Sequence, residues 1–210
     1  MMKTSISITK TNKSREEALI ELDNTDAEYV HIDMMDGVFV DNVQLLPSEV
    51  LSLASFTNKP LDIHMMVDNP IPYIRELNGL RNIHNITIHE EIGNTINYIN
   101  CIHELGYKAG VAINPNTGVD RLLQYLDNLD IVLIMGVYPG KGGQELIIET
   151  TNKIQELMDL RDRFGLSFEI EFDGGANKDT KKYLTGLDTV VSGSYVCMSD
   201  NYQDRIDDMR

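Results

Sequence analysis

Basic residues are in short supply: 18 Lys and Arg stand against 33 Asp and Glu, a formal net charge of −15. A surface of that sign excludes nucleic acid and anionic membranes, which bind proteins through clustered positive charge. It leaves room for a small anionic ligand, because a local nest of backbone N–H groups holds phosphate whatever the global charge. Cysteine is scarcer still. Cys101 and Cys197 form no C-x-x-C pair, so both read as buried structural thiols in a reducing, cytoplasmic setting. Long apolar runs are missing as well. Nothing approaches the ~20 residues that span a bilayer, and the opening M-M-K-T-S-I-S-I-T-K lacks the apolar core of a secretion signal. Linkers, low-complexity tracts and shifts in composition are also lacking, so one domain over residues 1–210 is expected.

What is present is alternation. Short β-branched or apolar runs at 4–9, 29–34, 61–66, 85–89, 108–113, 131–137, 167–173 and 188–192 read as strands. Amphipathic stretches at 14–24, 47–55, 70–79, 94–105, 119–128, 145–163 and 178–184 read as the helices between them. The first helix opens on a capping box, Ser14 to Glu17, and the third on Asn69-Pro70. A strict βαβα order means right-handed crossovers and a parallel sheet. The number of strands is that of a closed (β/α)8 TIM barrel. An open doubly wound sheet competes, but no G-x-G-x-x-G follows the first strand.

Three strand ends carry ligand-type side chains: His31 and Asp33 in H-I-D-M-M-D-G, His64 in D-I-H-M-M-V, and Asp173 in E-I-E-F-D-G-G. Side chains alternate along a strand, so His31 and Asp33 point the same way. A lone histidine at a strand end is usually structural. Here three other ligand types share equivalent positions, which favours a mixed N/O site for one divalent metal ion. Asp36, just before Gly37, reads instead as a turn cap. Glycine turns cluster late in the chain, at Pro139-Gly140-Lys141-Gly142-Gly143, Asp173-Gly174-Gly175 and Ser192-Gly193-Ser194. TIM barrels usually hold phosphate after their last strands.

These stretches, together with I-H-E-E (88–91), N-P-N-T (114–117), L-I-M-G-V-Y-P-G-K-G-G-Q (133–144) and V-S-G-S (191–194), occur in order along nearly the whole chain. In them the chain resembles the ribulose-phosphate 3-epimerase family of pentulose-phosphate and hexulose-phosphate 3-epimerases. The resemblance implies a ribulose-phosphate-binding TIM barrel, a phosphorylated ketose as substrate and, as commonly in such enzymes, a homo-oligomer. It implies His31, Asp33, His64 and Asp173 as metal ligands, with Asp33 and Asp173 also the two acid/base carboxylates. Ser7, His64, Gly140, Gly142, Gly143, Gly174, Gly175, Gly193 and Ser194 are then the substrate-facing set. Met35, Met66 and Met135 are the apolar wall of the cavity, where packing alone is the plainer alternative.

The match breaks around the substrate. F-V-D-N stands at 39–42 where the family has F-V-P-N, and Lys141 replaces the phenylalanine of the mobile loop. Lys141 either reaches the phosphate or stays a solvated loop residue. The leading expectation is interconversion of D-ribulose 5-phosphate and D-xylulose 5-phosphate by two-base proton transfer through an enediolate. Allulose 6-phosphate is the alternative substrate, and a non-catalytic phosphosugar-binding protein the alternative class. Orotidine-phosphate decarboxylase relatives are excluded, since strand 29–34 carries no D-x-K-x-x-D motif. The donor set does not choose among zinc, iron(II), manganese and cobalt.

Overall fold

The computed structural model describes residues 2–210. Its strands are β1 (Lys3–Ser7), β2 (Tyr29–Asp36), β3 (Val43–Gln44), β4 (Leu61–Met66), β5 (Ile83–His89), β6 (Lys108–Ile113), β7 (Ile131–Met135), β8 (Glu169–Asp173) and β9 (Thr189–Ser192). All but β3 are parallel and run in the order β1-β9-β8-β7-β6-β5-β4-β2, with β1 pairing back onto β2 to close the ring. The closed sheet with helices outside it is the TIM barrel expected from the alternation. The β3 pair, antiparallel to the end of β2, was not foreseen. At two residues, Val43 and Gln44, it is too short to show a strand period among the apolar residues Val38 to Val40 and Leu45-Leu46 around it.

The helices are α1 (Arg15–Asp23), α2 (Pro47–Leu53), α3 (Pro70–Glu76), α4 (Thr95–Glu104), α5 (Asn152–Phe164), α6 (Ser194–Cys197) and α7 (Tyr202–Met209). Among the described residues no helix is long and apolar enough to cross a membrane. The capping box forms as expected: Glu17 N–H donates to Ser14 Oγ at 3.2 Å, and Ser14 N–H to Glu17 Oε2 at 3.0 Å. Pro70 opens α3 in the first turn, where a missing N–H costs nothing.

Two expected helices are only 3-10 turns. Over 119–128 the buried residues are Val119, Leu122, Tyr125 and Leu126. The stretch is divided into two short 3-10 turns, Val119–Leu122 and Leu126–Asn128. Over 178–184 only Leu184 is buried, so no apolar stripe exists to pin a longer helix. There the Asn177 side chain accepts from the N–H groups of Asp179 and Thr180, leaving only the turn Lys181–Tyr183. The long helix expected from residue 145 starts late. Ile147 N–H is bonded to Gly136 O at 2.9 Å, which holds that stretch extended against β7.

The apolar core lies outside the barrel wall. Ile32, Met34, Ile63, Ile86, Val111, Ile134 and Phe172 point outward into one cluster with the helices. Their strand neighbours point inward and are largely polar: Ser5 and Ser7, His31 and Asp33, Asp62 and His64, Asn85, Thr87 and His89, Glu171 and Asp173. Where β6 and β7 cross this interior it turns small and apolar at Ala112, Leu133 and Met135. Gly110 is required there, because a Cβ would sit 2.2 Å from Thr87 Oγ1 on the next strand. The floor is closed by Glu169, held by Lys3 at 2.8 Å and Lys108 at 3.3 Å. Chemistry is thereby confined to the other end, at the strand C-termini.

Both cysteines are free, and Cys197 is fully buried. Burial pushes its thiol up to about 12. A thiol-titrating reagent should therefore find Cys197 only after denaturant is added. Labelling of Cys197 in the folded protein would contradict this packing.

Candidate active site

The parallel register sets Asp33 directly beside His64 and His31 beside Asp62. Asp173 reaches the same point from the end of β8. His31 Nε2 lies 3.3 Å from Asp33 Oδ1 and 4.0 Å from Asp173 Oδ2. His64 Nδ1 lies 3.1 Å from Asp33 Oδ1 and 3.8 Å from Asp173 Oδ2. One ligand atom from each of the four comes within 4.8 Å of all the others. The histidines are wholly buried and Asp173 half-buried. His31 Nε2 faces this cluster with no hydrogen-bond partner among the described residues. A buried imidazole nitrogen without a partner is costly unless something accepts its lone pair. The donor set therefore fits a divalent cation.

Three of the four side chains, His31, Asp33 and His64, are held from behind. His31 Nδ1 donates to Asp62 Oδ2 at 2.6 Å, and Asp62 also accepts from Ser5 and Asn85, each at 2.7 Å. Asp33 Oδ2 accepts from Ser7 at 2.7 Å and from Thr9 at 2.8 Å. His64 Nε2 meets His89 Nε2 at 2.8 Å. Asp62, His89 and Glu171 escaped the sequence reading, yet all sit two positions from an assigned residue or at a matching strand end. The i, i+2 alternation that joined His31 to Asp33 would have found Asp62 before His64 and Glu171 before Asp173.

Electrostatics separate the two carboxylates. Burial opposes ionisation of Asp33, but the two imidazoles packed against it, His31 foremost, hold it well below the usual range. Asp173 is pushed up to about 7, by burial and then by the Asp33 charge. Beneath them burial and the nearby Asp62 charge drive Glu171 well above its ordinary value. Burial takes His89 down to about 4.

Above the cluster opens a cavity of about 660 Å³. Ser7, Asp33 and Asp173 line its floor, and Met35, Met66 and Met135 its apolar side. Gly140 to Gly143, Gly174, Gly175, Gly193 and Ser194 form its rim along one arc. His31 and His64 lie beneath the floor rather than on it, so His64, expected to face substrate, presents only Nδ1 from below. Among the described residues Lys10 and Lys141 are the only cations lining the cavity, and Lys10 was not anticipated. Its ammonium is 3.2 Å from where a Gly143 Cβ would lie. Gln144 clips the Lys141 turn, donating to the carbonyls of Tyr138 and Lys141 at 2.7 Å each. Asp36 caps its turn as expected, accepting from Val38 and Phe39 N–H. Gly175, at φ +72°, serves packing as well as ligand approach. A Cβ there would come 2.7 Å from the Leu146 backbone.

Comparison with solved structures places the architecture among TIM-barrel enzymes. KGPDC from Streptococcus mutans superposes with a TM-score of 0.73 at 13% identity, over 100% of this chain and 95% of that one. Tryptophan synthase from M. tuberculosis gives 0.69 at 11% identity, over 99% and 92%. At such identities the likeness extends to the fold alone. Sequence relatives go further. Ribulose-phosphate 3-epimerase of Synechocystis sp. is 35% identical over 92% of this chain and 86% of its own length. That of Bacillus subtilis is 36% identical over 88% and 86%, and that of Escherichia coli 34% over 88% and 83%. The model of the ribulose-phosphate 3 epimerase family matches residues 2–197, which contain every side chain of the buried cluster and every turn of the cavity rim, and the chain belongs to that family.

Proposed function

We propose that this chain inverts C3 of a ketose phosphate, interconverting D-ribulose 5-phosphate and D-xylulose 5-phosphate, as an isomerase of the epimerase type. The observation that carries this reading is the pair Asp33 and Asp173. They come from different strands, β2 and β8, and both line the floor of one cavity, so a ketose bound there can meet one carboxyl group on each face. Two carboxyl groups so placed can act as base and acid in one event. A protein that merely binds phosphosugar needs no such pair.

In one direction the Asp33 carboxylate takes the C3 proton from one face of the sugar, and the Asp173 carboxylic acid returns a proton to the other. The reverse direction exchanges the roles. Ser7 and Thr9, both bonded to Asp33 Oδ2, hold that carboxylate in place and leave Oδ1 to the histidines. His31, Asp33, His64 and Asp173 would hold one divalent cation, zinc, iron(II), manganese or cobalt, which when bound polarises the ketone and offsets charge developing on its oxygen. Met35, Met66 and Met135, each 2% exposed, wall the reacting carbons with side chains that offer no competing proton. Two free cysteines fit cytoplasmic residence.

The phosphate belongs at the glycine arc, where backbone N–H groups at positive-φ turns approach an anion closely. Lys10 and Lys141 supply positive charge there in an otherwise acidic chain. Turnover on a panel of pentulose 5-phosphates, hexulose 6-phosphates and free ketoses tests the whole reading. Ribulose 5-phosphate should be the best substrate, and free ribulose worse in kcat/KM by roughly 10³-fold or more, since remote binding energy positions the reacting carbon. Lys10→Met, which keeps the aliphatic stem, should raise KM for the phosphorylated substrate about tenfold with little change in kcat, roughly one exposed charge contact. Equal kcat/KM on the free sugar would remove the phosphate assignment. Preference for allulose 6-phosphate would move the substrate to a hexulose.

A further inference from the structure

His89, at the end of β5, is fully buried and has no part in the proton transfers. Its Nε2 faces His64 Nε2 at 2.8 Å, with the two rings stacked at 5.0 Å between centroids. Its Nδ1 faces Glu91 Oε2 at 3.1 Å. The Phe39 ring covers it from the loop after β2, at 4.6 Å. Glu91 is itself anchored, because its Oε1 accepts from Asn114 N–H at 2.8 Å and from the Thr117 hydroxyl.

Two imidazole Nε2 atoms at hydrogen-bond distance pose a choice. One must carry the proton and the other must not. Were the proton on His89 Nε2, the bare Nδ1 of a neutral ring would confront the Glu91 carboxylate, lone pair against lone pair. With the proton on Nδ1, His89 donates to Glu91 and leaves its Nε2 bare. His64 must then carry its own proton on Nε2, which frees the Nδ1 lone pair toward Asp33 and Asp173.

We infer that Glu91 and His89 form a positioning pair that locks the tautomer and ring angle of His64, so that Nδ1 is presented to a divalent cation. The inference rests on the metal reading above. It extends the site from the barrel floor to the rim, since Glu91 ties His64 through His89 to the turn at 114–117 after β6. Asp62 performs the corresponding service for His31, but through a direct carboxylate contact. The two histidines are therefore backed differently, one by a buried acid and one by a neutral ring with an acid behind it.

The test is metal affinity, read by competition with a chromophoric chelator for Zn²⁺ and by the visible spectrum of the Co²⁺-loaded protein. His89→Phe fills the space but leaves the His64 Nε2–H without an acceptor, and should weaken binding about 10- to 100-fold. His89→Gln restores an acceptor oxygen and should recover most of that loss. Glu91→Leu, at a partly exposed position, should weaken binding in the same direction and shift the Co²⁺ spectrum even if His89→Phe proves unstable. A purely structural role for His89 would not distinguish Phe from Gln at equal melting temperature. If the parent binds Zn²⁺ and both His89→Phe and Glu91→Leu bind it equally well with unchanged Co²⁺ spectra, the positioning pair is overturned. If the parent binds no divalent cation, it is the metal reading that fails.

Discussion

Asp173→Asn should stop epimerisation almost completely, and Asp33→Asn should stop it as well. Each carboxylate serves one face of the sugar, so losing either leaves a proton removed with none returned opposite. General acid–base groups contribute about 10²- to 10⁴-fold each, and here both also face the cation cluster, so a loss of roughly 10⁴-fold in kcat is expected. The two variants should differ in what survives. Each keeps one base and should still exchange the C3 hydrogen of one epimer with deuterium from solvent, without inversion. The retained base decides which epimer, so the two variants should wash deuterium into opposite ones. Inversion at the parent rate in either variant would refute the two-base assignment, and so would both variants exchanging the same epimer. Steady-state kinetics and proton NMR in deuterium oxide provide the readout.

Chelator treatment should have the next largest effect. The parent should carry about one divalent ion per chain, lose activity on dialysis against a strong chelator, and regain it on adding back zinc, iron(II), manganese or cobalt. Stability should follow activity. A ligand at ~1,000 times its dissociation constant stabilises the fold by about 4 kcal/mol, which for a chain of this size is a Tm shift of roughly 10 °C. In the stripped protein Asp173 should add a pH dependence of definite sign. Its folded value of about 7 lies above the ordinary 3.8, so the unfolded chain releases that proton first. Stability should therefore fall as pH rises from about 4 to 7, and the reloaded protein should not show that fall. Undiminished turnover in rigorously stripped protein would eliminate the metal from the reaction.

The sequence by itself determined a great deal. Alternating apolar runs and amphipathic stretches specify a closed parallel barrel, because a strand covered by helices on its outer face must be apolar at every second position. The strand ends name His31, Asp33, His64 and Asp173, because period-2 alternation and parallel register bring those positions to one height. Ser14-Arg15-Glu16-Glu17 and Asn69-Pro70 mark their helix starts through local backbone chemistry, which needs no tertiary partner.

Tertiary structure decided what depends on neighbours far away in the chain. The segments at 119–128 and 178–184 keep helical composition but hold only short 3-10 turns, and at the second the Asn177 side chain takes N–H groups that a longer helix would use. Lys10 reads as one more polar loop residue until β1 is placed beside the Gly143 turn. His89 looked like part of a motif with no stated task. Only the packing of β4 against β5 puts its ring on His64 and sets a rim carboxylate behind it. The same holds for proton affinity. Asp33 and Asp173 are chemically identical side chains, and what separates them is which histidines, hydroxyls and charges the barrel closes around each.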